Sequence, residues 1–214
     1  MAQLRRPSQF IRFDEIKRPF PPVPKQFRNY PILLSQIDEG DKKKVFEDDP
    51  KRYMSAIGTI SPEDRRISTV VQFRGMPVDY GMEVCELHIV LPASNSSIFQ
   101  QDRFMLSLFR LNSSSPIDVQ TLAYVNRPSR VSQVARIIEP GTSLHWHRKF
   151  TCATEEILTY ELTCSESPVE GESRCEVEWW QNKEDPVSGM VFLPRCHDLT
   201  WSLPAIYVIQ HATV

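Results

Sequence analysis

"LHWHRKF", residues 144–150, carries two of the chain's five histidines and decides how the rest is read. In a strand, side chains alternate, so His145, His147 and Lys149 share one face while Leu144, Trp146, Arg148 and Phe150 share the other. Pro140, Gly141 and Ser143 sit just upstream as breaks, and a short run of aromatic and apolar residues between breaks is a strand signal.

The same signature recurs outward from this stretch. Residues 67–73, 83–91, 104–111, 132–139, 144–150, 157–163, 175–182, 189–194 and 205–211 are short, rich in β-branched and aromatic side chains, and separated by Pro, Gly, Ser or Asn. Nine such segments predict an all-β sandwich or barrel. Upstream, "KRPFPPVPKQFRNYP" favours extended or polyproline backbone. Residues 1–66 are therefore expected as an extended Pro-rich N-terminal arm packed on a domain of residues 67–214. Phe10, Phe13, Phe20, Phe27 and Tyr30 are its expected anchors. Within the arm, "LLSQIDEGDKKKVFEDDPKRY" is expected to hold one or two helical turns before Pro50, and "TISPEDRR" reads as a turn.

Bulk properties exclude several classes. The 214 residues can bury a real core, and 41% hydrophobic with 24% charged residues is ordinary for a globular chain. A formal net charge of −2 with both signs interspersed offers no cationic surface for nucleic acid. No apolar run reaches the roughly 18 to 20 residues of a membrane span. The five cysteines form no CxxC pair and match no zinc module. Cys164 and Cys175 flank a polar loop containing Pro168 and Gly171, where hairpin strands would bring them together, so a disulfide is expected there, with reduced buried thiols as the alternative. The sequons at Asn95 and Asn112 favour a secreted glycoprotein; because residues 1–12 carry no apolar signal segment, either a leader was removed or the protein is cytoplasmic.

For chemistry, His145 and His147 could chelate a metal, but a catalytic zinc needs a third protein ligand, and neither His88 nor His197 nor any carboxylate is placed by local spacing. No metal is expected, and the imidazoles suit acid–base work or ligand orientation. Nucleophile elbows and glycine-rich phosphate loops are missing from the sequence, so no nucleotide cofactor is expected. Trp179 and Trp180 point to opposite faces of one strand, so one ring faces away from the core. Trp146 and Trp201 could join them in lining an apolar pocket.

"GMEVCELHIVLP", "PGTSLHWHRKFTCATEEILTYELTC" and "CEVEWWQNKEDPVSGMVF" together resemble the fungal family named for the C-terminal domain of the ubiquitin 3 binding protein, over about residues 67–194. The resemblance implies an antiparallel β-sandwich on secreted or surface proteins, and a disulfide between Cys85 and Cys152, which leaves Cys196 as the candidate free thiol. The family's founding description implies binding to a ubiquitin-like activating enzyme, with no residues here to carry it. The chain is also similar in general look to small cofactor-free fungal hetero-Diels-Alderases of tropolone sesquiterpenoid pathways. That similarity implies a cofactor-independent cyclase or pericyclase acting on an apolar natural product. His145 or His147 would then move the proton, Arg148 or Lys149 would stabilise oxyanion charge, and Trp146, Trp179, Trp180 and Tyr160 would form the walls. Which face of 144–150 lines the cavity stays open. A non-catalytic fungal module that recognises a protein or glycan is the alternative, and a homo-oligomer is allowed by either.

Overall fold

The computed structural model describes residues 26–59, 66–74, 83–91, 103–140, 144–153, 155–165, 176–183, 189–190, 201–202 and 206–211. These form thirteen strands and one short 3-10 turn at Tyr124–Asn126, with no α-helix among the described residues. None of them forms a helix long and apolar enough to cross a membrane.

The strands are β1 (Gln26–Asn29), β2 (Leu33–Asp38), β3 (Arg52–Thr59), β4 (Arg66–Phe73), β5 (Val84–Leu91), β6 (Arg103–Leu111), β7 (Arg130–Pro140), β8 (Leu144–Thr151), β9 (Leu158–Cys164), β10 (Glu176–Asn182), β11 (Gly189–Met190), β12 (Trp201–Ser202) and β13 (Ile206–His211). They build a four-stranded sheet, β1-β13-β5-β8, and a seven-stranded sheet, β10-β3-β4-β9-β6-β7, in which β2 also pairs with β4. All these pairings are antiparallel. A third, two-stranded sheet joins β11 and β12. The all-β antiparallel sandwich expected from the sequence is the observed fold.

Alternation explains the core. Cys85, Leu87 and Ile89 from β5, Leu144 from β8 and Ile206 and Val208 from β13 point inward from the smaller sheet. They meet Val71, Phe73, Leu106, Leu108, Tyr160, Leu162 and Trp179 from the larger one. Burying each such aliphatic side chain contributes about 1.5–3 kcal/mol before the entropy of ordering it. Cys85 and Cys152 form a disulfide that fastens the end of β8 to β5.

The larger sheet is also covered on its outer side. Leu33, Ile37, Val70, Leu111 and Leu122 form a second cluster there, with Ile117, Val119 and Tyr124 from the connection after β6 packed on it. Gln72, fully buried, anchors that connection: its amide nitrogen donates to the Ser115 carbonyl at 3.1 Å, and its oxygen accepts from the Ile117 N–H at 2.9 Å. Beside it, Glu161 accepts two 2.8 Å bonds from Arg130, whose guanidinium lies over Phe109.

Residues 26–59 differ from the expected arm. They supply β1 to the smaller sheet and β2 and β3 to the larger one, so this stretch belongs to the sandwich. "LLSQID" is a strand and not the start of a helix. All six of its residues are buried, because Leu34 serves the main core while Leu33 and Ile37 serve the second. Phe27, expected as an anchor, is 44% exposed on β1, and Phe10, Phe13 and Phe20 lie outside the described residues.

Candidate functional site: an imidazole face around Glu86

The outer face of the four-stranded sheet collects four of the chain's five histidines. Register places them. His88 on β5 pairs with His147 on β8 and Tyr207 on β13, so these three form one row across the sheet. In the next row Glu86 lies between Lys149 and Ile209, and beyond it Val84 lies between Thr151 and His211. His145 stands at the other end of the face, opposite Val90. These are the residues left over when the odd-numbered positions of β5 turn into the core.

Glu86 is the hub. Its Oε1 lies 2.7 Å from Nδ1 of His147, and its Oε2 lies 2.8 Å from Nε2 of His211. An ionised carboxylate only accepts, so both imidazoles donate N–H to it. His88 Nε2 is 3.6 Å from Oε2, an ion-pair distance beyond a normal hydrogen bond. Nδ1 of His88 is 3.4 Å from Nε2 of His145, so one of these rings donates to the other. The row is also stacked: His88 lies 4.7 Å from Tyr207 with planes 4° apart and 5.4 Å from His147, and Arg28 closes the far end over Tyr207.

Burial grades across the face. Glu86, His88 and Tyr207 are buried, while the side chain of His147 is 56% exposed and that of His211 27%. Burial alone would raise the Glu86 carboxyl. The hydrogen bonds from His211 and His147 and the charges of His88 and Lys149 outweigh it and hold the group below the ordinary glutamate value. For His88, burial comes first and lowers its value; Glu86 opposes this, and His147 and His145 add to the lowering. Burial thus disfavours the protonated form of His88, while the neighbours of Glu86 favour its ionised form. Burial likewise raises the Tyr207 phenol, against the pull of Arg28.

The residues singled out in the sequence are divided by this geometry. His145, His147 and Lys149 share the outer face. Arg148 and Trp146 point the other way: Arg148 donates to the Val134 carbonyl of β7, and Trp146 packs on the core. Trp179 and Tyr160 are buried core residues of the larger sheet, away from the imidazoles. The Trp180 side chain lies outside the described residues. Lys149 therefore shares the face of the imidazoles, whereas the exposed Arg148 side chain lies on the opposite side of β8, against β7.

Glu86, Tyr207 and His211 were not found by sequence reasoning, and His88 was named there only as a histidine that local spacing does not place. The available signal was "ELH" in residues 86–88, which repeats the alternation of 145–147 on the strand that turns out to be the neighbour. Among the described residues, no group of three or more His, Cys, Asp or Glu side chains is arranged to hold a metal ion. Cys164 is also disulfide-bonded; Cys175, its expected partner, and Cys196, the expected free thiol, lie outside the described residues. The arrangement can fix an imidazole by one nitrogen against a carboxylate and present the other nitrogen to solvent, the geometry of a general acid or base. No protein-family model and no curated protein matches the chain.

Proposed function

We propose that the chain is a proton-transfer catalyst, with His147 as the general acid or base and Glu86 as the group that orients it. The single observation carrying this reading is the 2.7 Å bond from His147 Nδ1 to the buried Glu86 carboxylate, made by an imidazole whose side chain is 56% exposed. A carboxylate on Nδ1 fixes the tautomer and leaves Nε2 at the ring tip as the acceptor. Lys149, the direct neighbour of Glu86 on β8, supplies a cation for developing oxyanion charge. The substrate class to try first is the one implied by resemblance: an apolar fungal natural product, such as a tropolone-terpenoid precursor, that cyclises or loses water by proton transfer. Such chemistry gains about 10²–10⁴-fold from a positioned acid or base.

The test is product formation from polyene and tropolone-type precursors, followed by mass analysis, with wild type and His147→Asn. Loss of turnover in a variant that still folds cooperatively supports the role; equal turnover removes His147 from the mechanism. A recognition module for a protein or glycan is favoured by one feature, the burial of Trp146, Tyr160 and Trp179 in or against the core, which takes the expected apolar walls away from the imidazoles. That reading predicts binding without product. The Cys85–Cys152 disulfide is in keeping with a secretory location, and the exposed sequon residue Asn112 is where we place a glycan on the secreted protein.

A further inference from the structure

Only one oxygen of Glu86 serves His147. We infer that His211 is a positioning residue for the Glu86–His147 pair, an inference that takes its purpose from the acid–base reading of His147 but is tested apart from it. Glu86 sits on the central strand β5, where its direct neighbours are Lys149 on β8 and Ile209 on β13. It reaches past both along opposite diagonals, to His147 on one side and His211 on the other. A carboxyl group fastened at one oxygen can still turn about its last bond. Fastened at 2.7 Å through Oε1 and at 2.8 Å through Oε2, by side chains from the two flanking strands, its plane is set.

Nitrogen identity divides the labour between the two imidazoles. His147 spends Nδ1 on Glu86 and keeps Nε2, the ring-tip atom, for solvent or substrate. His211 spends its ring-tip Nε2 on Glu86, so its remaining Nδ1 is the atom next to its own backbone. Exposure agrees: 56% for the His147 side chain against 27% for His211. His147 is thus the ring that can meet a reactant, and His211 acts through the carboxylate. In the adjoining row His88 and Tyr207 are stacked and buried, and Glu86 is itself buried, so a second hydrogen-bond donor for it comes from protein.

The test is nitrogen-15 NMR of the imidazole nitrogens at mildly alkaline pH, in the whole chain, for wild type, His211→Asn, His211→Gln and Glu86→Gln. Wild type is expected to show His147 as a single tautomer with the proton on Nδ1. Asparagine at 211 is too short to reach Oε2, and His147 should become a mixture containing the Nε2–H form. Glutamine at 211 can donate to Oε2 and should restore the single tautomer. A His211→Asn protein with the wild-type pattern overturns the inference, as does the same mixture in both variants, because the hydrogen bond would then not be what matters. Glu86→Gln leaves one acceptor for two imidazoles, so His147 or His211 must change tautomer there; retention of both the Nδ1–H form of His147 and the Nε2–H form of His211 overturns both the inference and the acid–base reading. A restored tautomer in His211→Gln beside an inactive set of substrates sinks only the acid–base reading.

Discussion

Replacing Glu86 with glutamine keeps the shape of the hub and removes its charge. The carboxylate accepts at 2.7 and 2.8 Å from two imidazoles, and a hydrogen bond to a charged group contributes about 1.5–3 kcal/mol when both partners are dry. Here the donors keep access to water, most of all His147, so the lower end applies and part of the loss is recovered by solvent. Glutamine also turns one acceptor into a donor, which forces one imidazole to change tautomer. Together these lead us to expect a loss of about 2 kcal/mol at neutral pH, or about 4–8 °C in melting temperature for a chain of this size. The pH dependence has a definite sign. The folded-state value of Glu86 is below its ordinary 4.5, so its stabilisation is fully present above that value and is lost as pH falls through the lower, folded one. The gap between wild type and Glu86→Gln, followed by thermal melts monitored by circular dichroism, should therefore close in strong acid. Equal stability at neutral pH, or a gap that survives in strong acid, refutes the reasoning.

His88 sets a second, separate pH window. Its folded value lies below 6.5, so the unfolded chain binds the proton more readily, and stability falls as pH drops from 6.5 toward the folded value. His88→Phe keeps a flat ring against Tyr207 and should flatten that slope in denaturant titrations at several pH values. Removing the disulfide by Cys85→Ala with Cys152→Ala opens a loop of 67 residues' separation and should cost about 4 kcal/mol by chemical denaturation. Trp179→Ala empties a core site where the ring is 1% exposed, with an expected loss of about 3–5 kcal/mol in the same assay.

The sequence carried most of the sandwich because the strands that face one core on one side alternate visibly. "LHWHRKF" divides as expected into an imidazole face and an opposite set, and each of the nine predicted segments overlaps an observed strand. β2 escaped because it is buried on both faces, so "LLSQID" has no polar side to reveal a period of two. β1 is only four residues long and follows a proline-rich run. For the site, His145 and His147 were legible from local spacing, whereas Glu86 and His211 were not. They come from strands more than fifty residues away on either side, and only pairing register brings them to one hub. Trp146 and Arg148 were legible as a pair opposite the histidines; that their face is the core-facing one depends on which side the larger sheet covers, a tertiary fact.

Site-resolved acylation of the histidines by diethyl pyrocarbonate, read by mass spectrometry at neutral pH, probes the Glu86–His147 pair without a substrate. The reagent attacks an unprotonated imidazole nitrogen, so it reports both exposure and the electron density that a carboxylate on Nδ1 lends to Nε2. His147 should react faster than His211 and far faster than buried His88, and Glu86→Gln should slow His147 specifically. Equal rates at His147 and His88, or a His147 rate indifferent to Glu86→Gln, would contradict an imidazole oriented by that carboxylate.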